Sequence, residues 1–180
     1  MSLPRTPSQT VGPYLAIAMR WNDGPYVVDE GAVNAIWIRG RLLDGSGEPI
    51  DDGVVETWQP DRDGRFPTEA DGAPFRGFGR STTDADGAWG VHTLKPGRIA
   101  DAHGALAAPY LSVAIFARGL LKPAWTRIYF GDEHEANAGD SVLGRVDPAR
   151  RRTLLARPEP GGYRLDIRLQ GADETVFFDA

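Results

Sequence analysis

Between Tyr110 and Arg118 the chain reads YLSVAIFAR. Side chains alternate across a strand, so Leu111, Val113, Ile115 and Ala117 share one face and Tyr110, Ser112, Ala114, Phe116 and Arg118 the other. The first face is wholly apolar and belongs in a core; the second is mixed and lies at a boundary. Arg118 ends this strand, with Gly119 after it, where a guanidinium can reach a cleft at the strand end. Most strand-end arginines are plain surface cations, so the residue pattern alone leaves both readings open. The surrounding stretch, Gly104 to Leu121, is the most apolar of the chain. Pro109, Ser112 and Arg118 interrupt it short of the roughly 20 apolar residues a membrane helix needs.

The same period extends in both directions. In Ala32–Leu43 (AVNAIWIRGRLL), Ile36, Ile38 and Leu42 alternate with Trp37, Arg39 and Arg41. In GVVETWQP, Val54, Glu56 and Trp58 oppose Val55, Thr57 and Gln59. Further strands are predicted at Phe78–Asp84, Ala88–Leu94, Trp125–Phe130 and Tyr163–Leu169, with turns at Asp44–Pro49, Asp61–Gly64 and Asp84–Gly87. Helical signal is confined to Asp132–Asp140 and to PARRRTLLA, which Asp147 and Pro148 open as N-cap and first-turn proline. Many short strands with frequent turns predict an all-β sandwich or barrel in a single domain, 1–180. Within it, residues 32–180 form the β body and residues 1–31, without clear period, an N-terminal arm laid on a surface, this chain's or another's.

Composition narrows the chemistry. With no cysteine among 180 residues, disulfides, thiolate metal sites and thiol nucleophiles are excluded. A net charge of −5 argues against an electrostatic grip on nucleic acid. The first ten residues hold two prolines and no apolar run of signal length, so a cytoplasmic location is expected. The three histidines, His92, His103 and His134, fall on a strand, in a loop and on a short helix, without metal-ligand spacing. Asp132–Glu135 reads as a solvated acidic turn, and the Asp-x-Asp-Gly stretches lack a calcium loop's downstream glutamate. No serine sits in a nucleophile elbow. Gly77-Phe78-Gly79 leads into a strand rather than a phosphate-binding helix. Glu56 and Asp61 have no spacing that would pair them as a glycosidase dyad. Trp58, Trp89 and Trp125 are expected to pack the body or an interface.

TPSQTVGPY (Thr6–Tyr14), ETWQPDRDGRF (Glu56–Phe66), GFGRSTTDADGAW (Gly77–Trp89), HTLKPG (His92–Gly97), IFARGL (Ile115–Leu120), TRIYFGDE (Thr126–Glu133), RRTLLA (Arg151–Ala156) and YRLDIRLQGADETVFFD (Tyr163–Asp179) stand in one order. In that order and spacing the chain resembles the intradiol ring-cleavage dioxygenases from about Thr6 onward. The resemblance implies a two-sheet β-sandwich. Catalytic members of the family hold non-haem ferric iron with two tyrosinates and two histidines. At the corresponding positions this chain has Ile99, two residues beyond the Lys95-Pro96-Gly97 turn, Tyr110 and Ser112 for the histidine pair, and no tyrosine near Phe66 and Pro67. The resemblance therefore implies no metal, no catalytic residue and no cofactor in this chain. It is similar to the family's iron-free alpha-type subunits, which pair in a hetero-oligomer with an iron-bearing beta-type subunit of the same fold.

Carried over on the matching motifs, Thr10, Gly12, Pro13, Tyr14 and Arg118 line the approach of a small aromatic acid, with Arg118 attracting its carboxylate. The implied reaction inserts both atoms of dioxygen into a catechol ring; protocatechuate would give 3-carboxy-cis,cis-muconate. Two other readings stay open on the sequence. One is a stand-alone β-sandwich binding module with only ancestral likeness to the dioxygenases. The other is a homomeric enzyme with an unrecognised metal site.

Overall fold

Alternating apolar residues become strands wherever they can pair. The computed structural model describes residues 6–12, 14–68, 75–100 and 104–179; Pro13 and His103 lie outside them. The strands are β1 (Ile36–Leu43), β2 (Val54–Trp58), β3 (Phe78–Thr82), β4 (Ala88–Thr93), β5 (Tyr110–Phe116), β6 (Ala124–Phe130), β7 (Leu155–Glu159), β8 (Gly162–Arg164) and β9 (Ile167–Arg168). They pair in the order β3-β2-β5-β6-β7-β8-β1-β4, with β9 also on β1. The path is nearly closed, because β3 and β4, at its two ends, are consecutive strands joined by the Asp84–Gly87 turn. The fold is all-β. No described helix is long and apolar enough to cross a membrane.

The core lies where the two halves of this path meet. Val55, Leu111, Val113, Ile115, Ile128 and Phe130 come from one half; Ile38, Leu42, Trp89, Val91, Tyr163, Leu165 and Ile167 come from the other and its flanks. The predicted inner face of β5 is fully buried, and Arg39 and Arg41 of β1 point outward. Val55 and Thr57 of β2 and Gln59 just after it are buried together. Gln59 is tolerated there because its amide donates to the Leu94 carbonyl at 2.8 Å and accepts from Thr93 Oγ1 at 2.8 Å. The acidic turns consume their own carboxylates: Asp61 Oδ1 accepts from the Asp63 and Arg65 amides, and Asp84 Oδ1 from Asp86 and Ala88. They are turn-forming aspartates, as expected.

Two expectations need correction. The helix predicted for PARRRTLLA is only a 3-10 turn over Arg151–Leu154, after which Leu155 and Ala156 enter β7, a strand absent from the sequence reading. The single strand predicted over Tyr163–Leu169 is interrupted between β8 and β9, where Asp166 Oδ1 accepts the Arg41 amide at 2.9 Å and substitutes for a ladder bond. The other helical expectation holds as α2 (His134–Gly139).

Within the N-terminal segment, a single helical turn, α1 (Leu15–Ala18), is followed by an extended stretch that joins this chain's own sheet. The Arg80 amide donates to the Gly24 carbonyl at 2.7 Å, His92 to Pro25 at 2.7 Å, and Val27 to His92 at 2.8 Å. Residues 24–28 thus lie between β3 and β4, across the gap in the sheet path.

Candidate functional site

The apolar inner face of β5 fixes where its outer face and its end must lie. At the end, the Gly119 amide donates to Thr10 Oγ1 at 2.7 Å, which ties the N-terminal segment to the residue after Arg118. Gln9 and Val11 join Phe116, Ala117 and Leu120–Pro123 around a cavity of about 170 Å³. Arg118 itself, 59% exposed, turns to an acidic loop: its Nε is ion-paired with Asp52, and Nη2 lies 3.9 Å from Asp51. Gly12 has open space around it and Tyr14 is 76% exposed. The structure therefore brings Thr10 beside the Arg118 segment but leaves Gly12 and Tyr14 facing solvent.

The outer face of β5 carries a second constellation. Registers across β2, β5 and β6 align Trp58, Ser112 and Arg127 in one row, and Glu56, Ala114 and Trp125 in the next. Trp58 stacks on Phe66, ring centroids 5.7 Å apart and planes 12° from parallel. The Arg127 guanidinium lies 4.1 Å from the centroid of Tyr110. Arg127 also donates to the Tyr129 hydroxyl at 3.2 Å, and Tyr129 donates to Asp140 at 3.2 Å. Asp140 is buried and takes three further amide donors, from Ala108, Val142 and Leu143. Burial raises the Tyr129 phenol well above its usual range despite the nearby guanidinium, so it stays protonated and can give its proton to Asp140. Glu56 is neutralised by Arg80, 2.6 Å away on the same face, and Trp21 lies over that guanidinium at 4.1 Å. Of the three tryptophans expected to pack, Trp89 is in the core, whereas Trp58 and Trp125 are each 41% exposed on this outer face.

Ferric iron needs several anionic oxygen or imidazole donors, and the described residues here do not supply them. Ile99 is aliphatic and its carbonyl accepts the Ala107 amide at 2.8 Å. Ser112 is a neutral hydroxyl, Phe66 is stacked on Trp58, and the Tyr110 ring carries a guanidinium that would repel a second cation. His92 is enclosed by the Tyr26 and Trp37 rings, and His134 opens α2. This donor set does not fit the metal.

The turn before Ile99 is clamped. Lys95 Nζ lies 2.6 Å from Glu133, 3.1 Å from Asp132 and 3.1 Å from the Tyr163 hydroxyl, which itself donates to Asp132 at 2.8 Å. Burial disfavours the Lys95 ammonium, but its bonds to Glu133, Tyr163 and Asp132 outweigh that and raise its pKa above the ordinary 10.5. Burial also opposes charge on Asp132, yet the Tyr163 and Lys95 bonds hold its carboxyl below the ordinary 3.8.

The sequence reading missed Arg127, Tyr129 and Asp140. Alternation in WTRIYF could place Arg127 and Tyr129 on one face, but only the β5–β6 register sets them beside Ser112 and Tyr110.

A family profile described as Dioxygenase matches residues 14–138. The protocatechuate 3,4-dioxygenase alpha chain of Burkholderia cepacia is 41% identical over 207 residues, covering 99% of this chain and 98% of that one. The alpha chain of the Pseudomonas putida enzyme is 40% identical, covering 98% and 97%. The Burkholderia cepacia protocatechuate 3,4-dioxygenase beta chain is 32% identical over 78% of this chain and 66% of its own length. Among solved structures, the dioxygenase domain of a dioxygenase carbohydrate-binding protein fusion from Streptomyces sp. SirexAA-E superposes with a TM-score of 0.62 at 24% identity, covering 94% of this chain and all of that one.

Proposed function

The chain belongs to the intradiol dioxygenase family, and from that premise we propose that it is the iron-free alpha subunit of a protocatechuate 3,4-dioxygenase. It assembles with an iron-bearing beta subunit of related sequence and completes that subunit's pocket for oxygen-dependent cleavage of protocatechuate to 3-carboxy-cis,cis-muconate. The observation that carries this reading is the replacement of the metal donors by Ile99, Ser112 and the Phe66-Pro67 pair, with Arg127 laid over Tyr110. A chain so built draws its catalytic centre from a companion. The partner's iron supplies the dioxygen chemistry, and this chain supplies shape and charge.

In this reading the sheet path forms a two-sheet sandwich of the intradiol type, supported by a core drawn from both halves of the path. Thr10, Gly12, Pro13, Tyr14 and Arg118 form the wall offered to the partner. The Thr10–Gly119 bond supports this grouping, since it holds the arm against the end of β5. For Arg118 to meet a substrate carboxylate it exchanges or shares its Asp52 partner, a modest rearrangement for a side chain 59% exposed.

Tagged chain co-expressed with a beta-type subunit should bring that subunit down with one iron per pair. Recovery of the tagged chain alone, or with iron bound to it, overturns the proposal. In the complex, Arg118→Ala should lower kcat/KM for protocatechuate about tenfold, a loss of about 1.4 kcal/mol, with iron content unchanged. Unaltered kinetics would return Arg118 to the scaffold.

A further inference from the structure

Among the described residues, Arg127 is a partly buried cation with no carboxylate partner. Its contacts are the Tyr110 ring and one bond to the Tyr129 hydroxyl, and the nearest acid in that chain, Asp140, is reached only through Tyr129. The oxygens of Asp140 are already occupied by three backbone amides and that hydroxyl. Glu56, on the neighbouring row, is committed to Arg80. Most of the guanidinium's N–H groups therefore meet no acceptor among the described residues, in surroundings where an unpaired charge is costly.

The walls around it are aromatic. Ser112 is the small residue between Trp58 and Arg127, whose backbones stand two strand spacings, about 10 Å, apart. Its hydroxyl makes no hydrogen bond among the described residues. Trp58 and Phe66 brace each other in a stack and remain partly exposed, and Tyr110 closes the side nearest the guanidinium. A bare anion would have no use for such walls, and an uncharged ring would leave the guanidinium unsatisfied.

We propose that this row is an anion site for a small aromatic carboxylate, held by Arg127 and Ser112 at its charged end and by Trp58 and Phe66 along its ring. Arg127 would grip the carboxylate through paired N–H donors, Ser112 would add an O–H donor, and no covalent step is involved.

The row is built from this chain's own residues. The test is calorimetric titration of the purified complex with benzoate, which has the carboxylate and ring but no catechol to cleave, while visible absorbance follows the iron. Benzoate should saturate a class of sites equal in number to this chain and silent in the iron spectrum, and neutral benzamide should bind that class at least tenfold more weakly. Arg127→Gln should remove the class, as should Ser112→Leu, which fills the floor without touching the charge, and both should leave the iron spectrum's response unchanged. Benzoate bound only in proportion to iron, equal binding of benzamide, or persistence of the class in both variants overturns the proposal. So does a complex in which a partner carboxylate already fills the guanidinium and excludes benzoate. If the chain purifies without a partner, the same titration is made on it alone, so the loss of the assembly and the loss of this site are read separately.

Discussion

Gly162 and Gly12 show how differently two glycines of one chain can matter. A Cβ on Gly162 would stand 1.8 Å from the Trp37 carbonyl oxygen, where β8 runs against β1, and no rotamer relieves a clash with backbone. Gly162→Ala should cost about 3 kcal/mol, at the upper end for overpacking, measured as a lowered denaturant midpoint. Gly12 meets nothing within 4 Å, so Gly12→Ala should alter stability by less than about 0.5 kcal/mol. If the proposed wall is right, that same substitution raises KM for protocatechuate in the complex; unchanged kinetics would remove Gly12 from the wall. The difference in packing between these positions was not legible in the sequence, because what surrounds each glycine is set by long-range neighbours. Arg118 was legible as a strand-end cation because alternation fixes it to the face opposite the core. Its pairing with Asp52 was not, because that depends on a loop meeting the strand end from 66 positions away.

At the scale of elements, the strands that were legible are those with their own alternation, and β7 was missed for a physical reason. Its sequence, LARPE, has no apolar period and contains a proline, which usually argues against a strand. It is held by β6, far upstream in the chain, on one side and by its hairpin partner β8 on the other. The clamp on Lys95 is likewise a product of assembly, since it joins the turn after β4 to β6's end and to β8. Its pH dependence follows from the two shifts. The raised Lys95 pKa contributes stability that is complete below about 10.5 and fades as pH climbs through the folded-state value. The lowered Asp132 pKa contributes stability that is complete above 3.8 and fades as pH falls through its folded-state value. Lys95→Met should therefore cost about 1 kcal/mol at neutral pH, a small figure because Asp132 is 43% exposed. It should also flatten the alkaline limb of stability against pH. A variant whose alkaline limb stays as steep as the parent's would show that the clamp carries no linkage.

Over the whole molecule, the N-terminal segment divides into a part that is woven into the sheet and a part that touches the body at few points. Residues 24–28 span the gap between β3 and β4. Their bonds to Arg80 and His92, and a further one from the Arg76 amide to the Val27 carbonyl at 3.1 Å, satisfy edges that would otherwise be open. Val27 and Val28 are buried there, each contributing about 1.5–3 kcal/mol on burial. Upstream, residues 6–12 touch the body at the Thr10–Gly119 bond and around the small cavity beside Phe116. Deleting residues 1–12 should thus lower stability by about 1 kcal/mol, the worth of one hydrogen bond and a shallow contact. Extending the deletion through residue 28 removes two buried valines and four main-chain bonds, a loss of about 5 kcal/mol or more that approaches the total stability of a domain. The short deletion should fold and, if the proposed function is right, turn over protocatechuate more slowly in the proposed complex; the long one should not yield folded protein. Thermal unfolding of both, with turnover of the short form, decides the matter. A long deletion that unfolds at the parent's temperature would mean the segment is an appendage. A short deletion with parental turnover would mean its arm takes no part in the pocket.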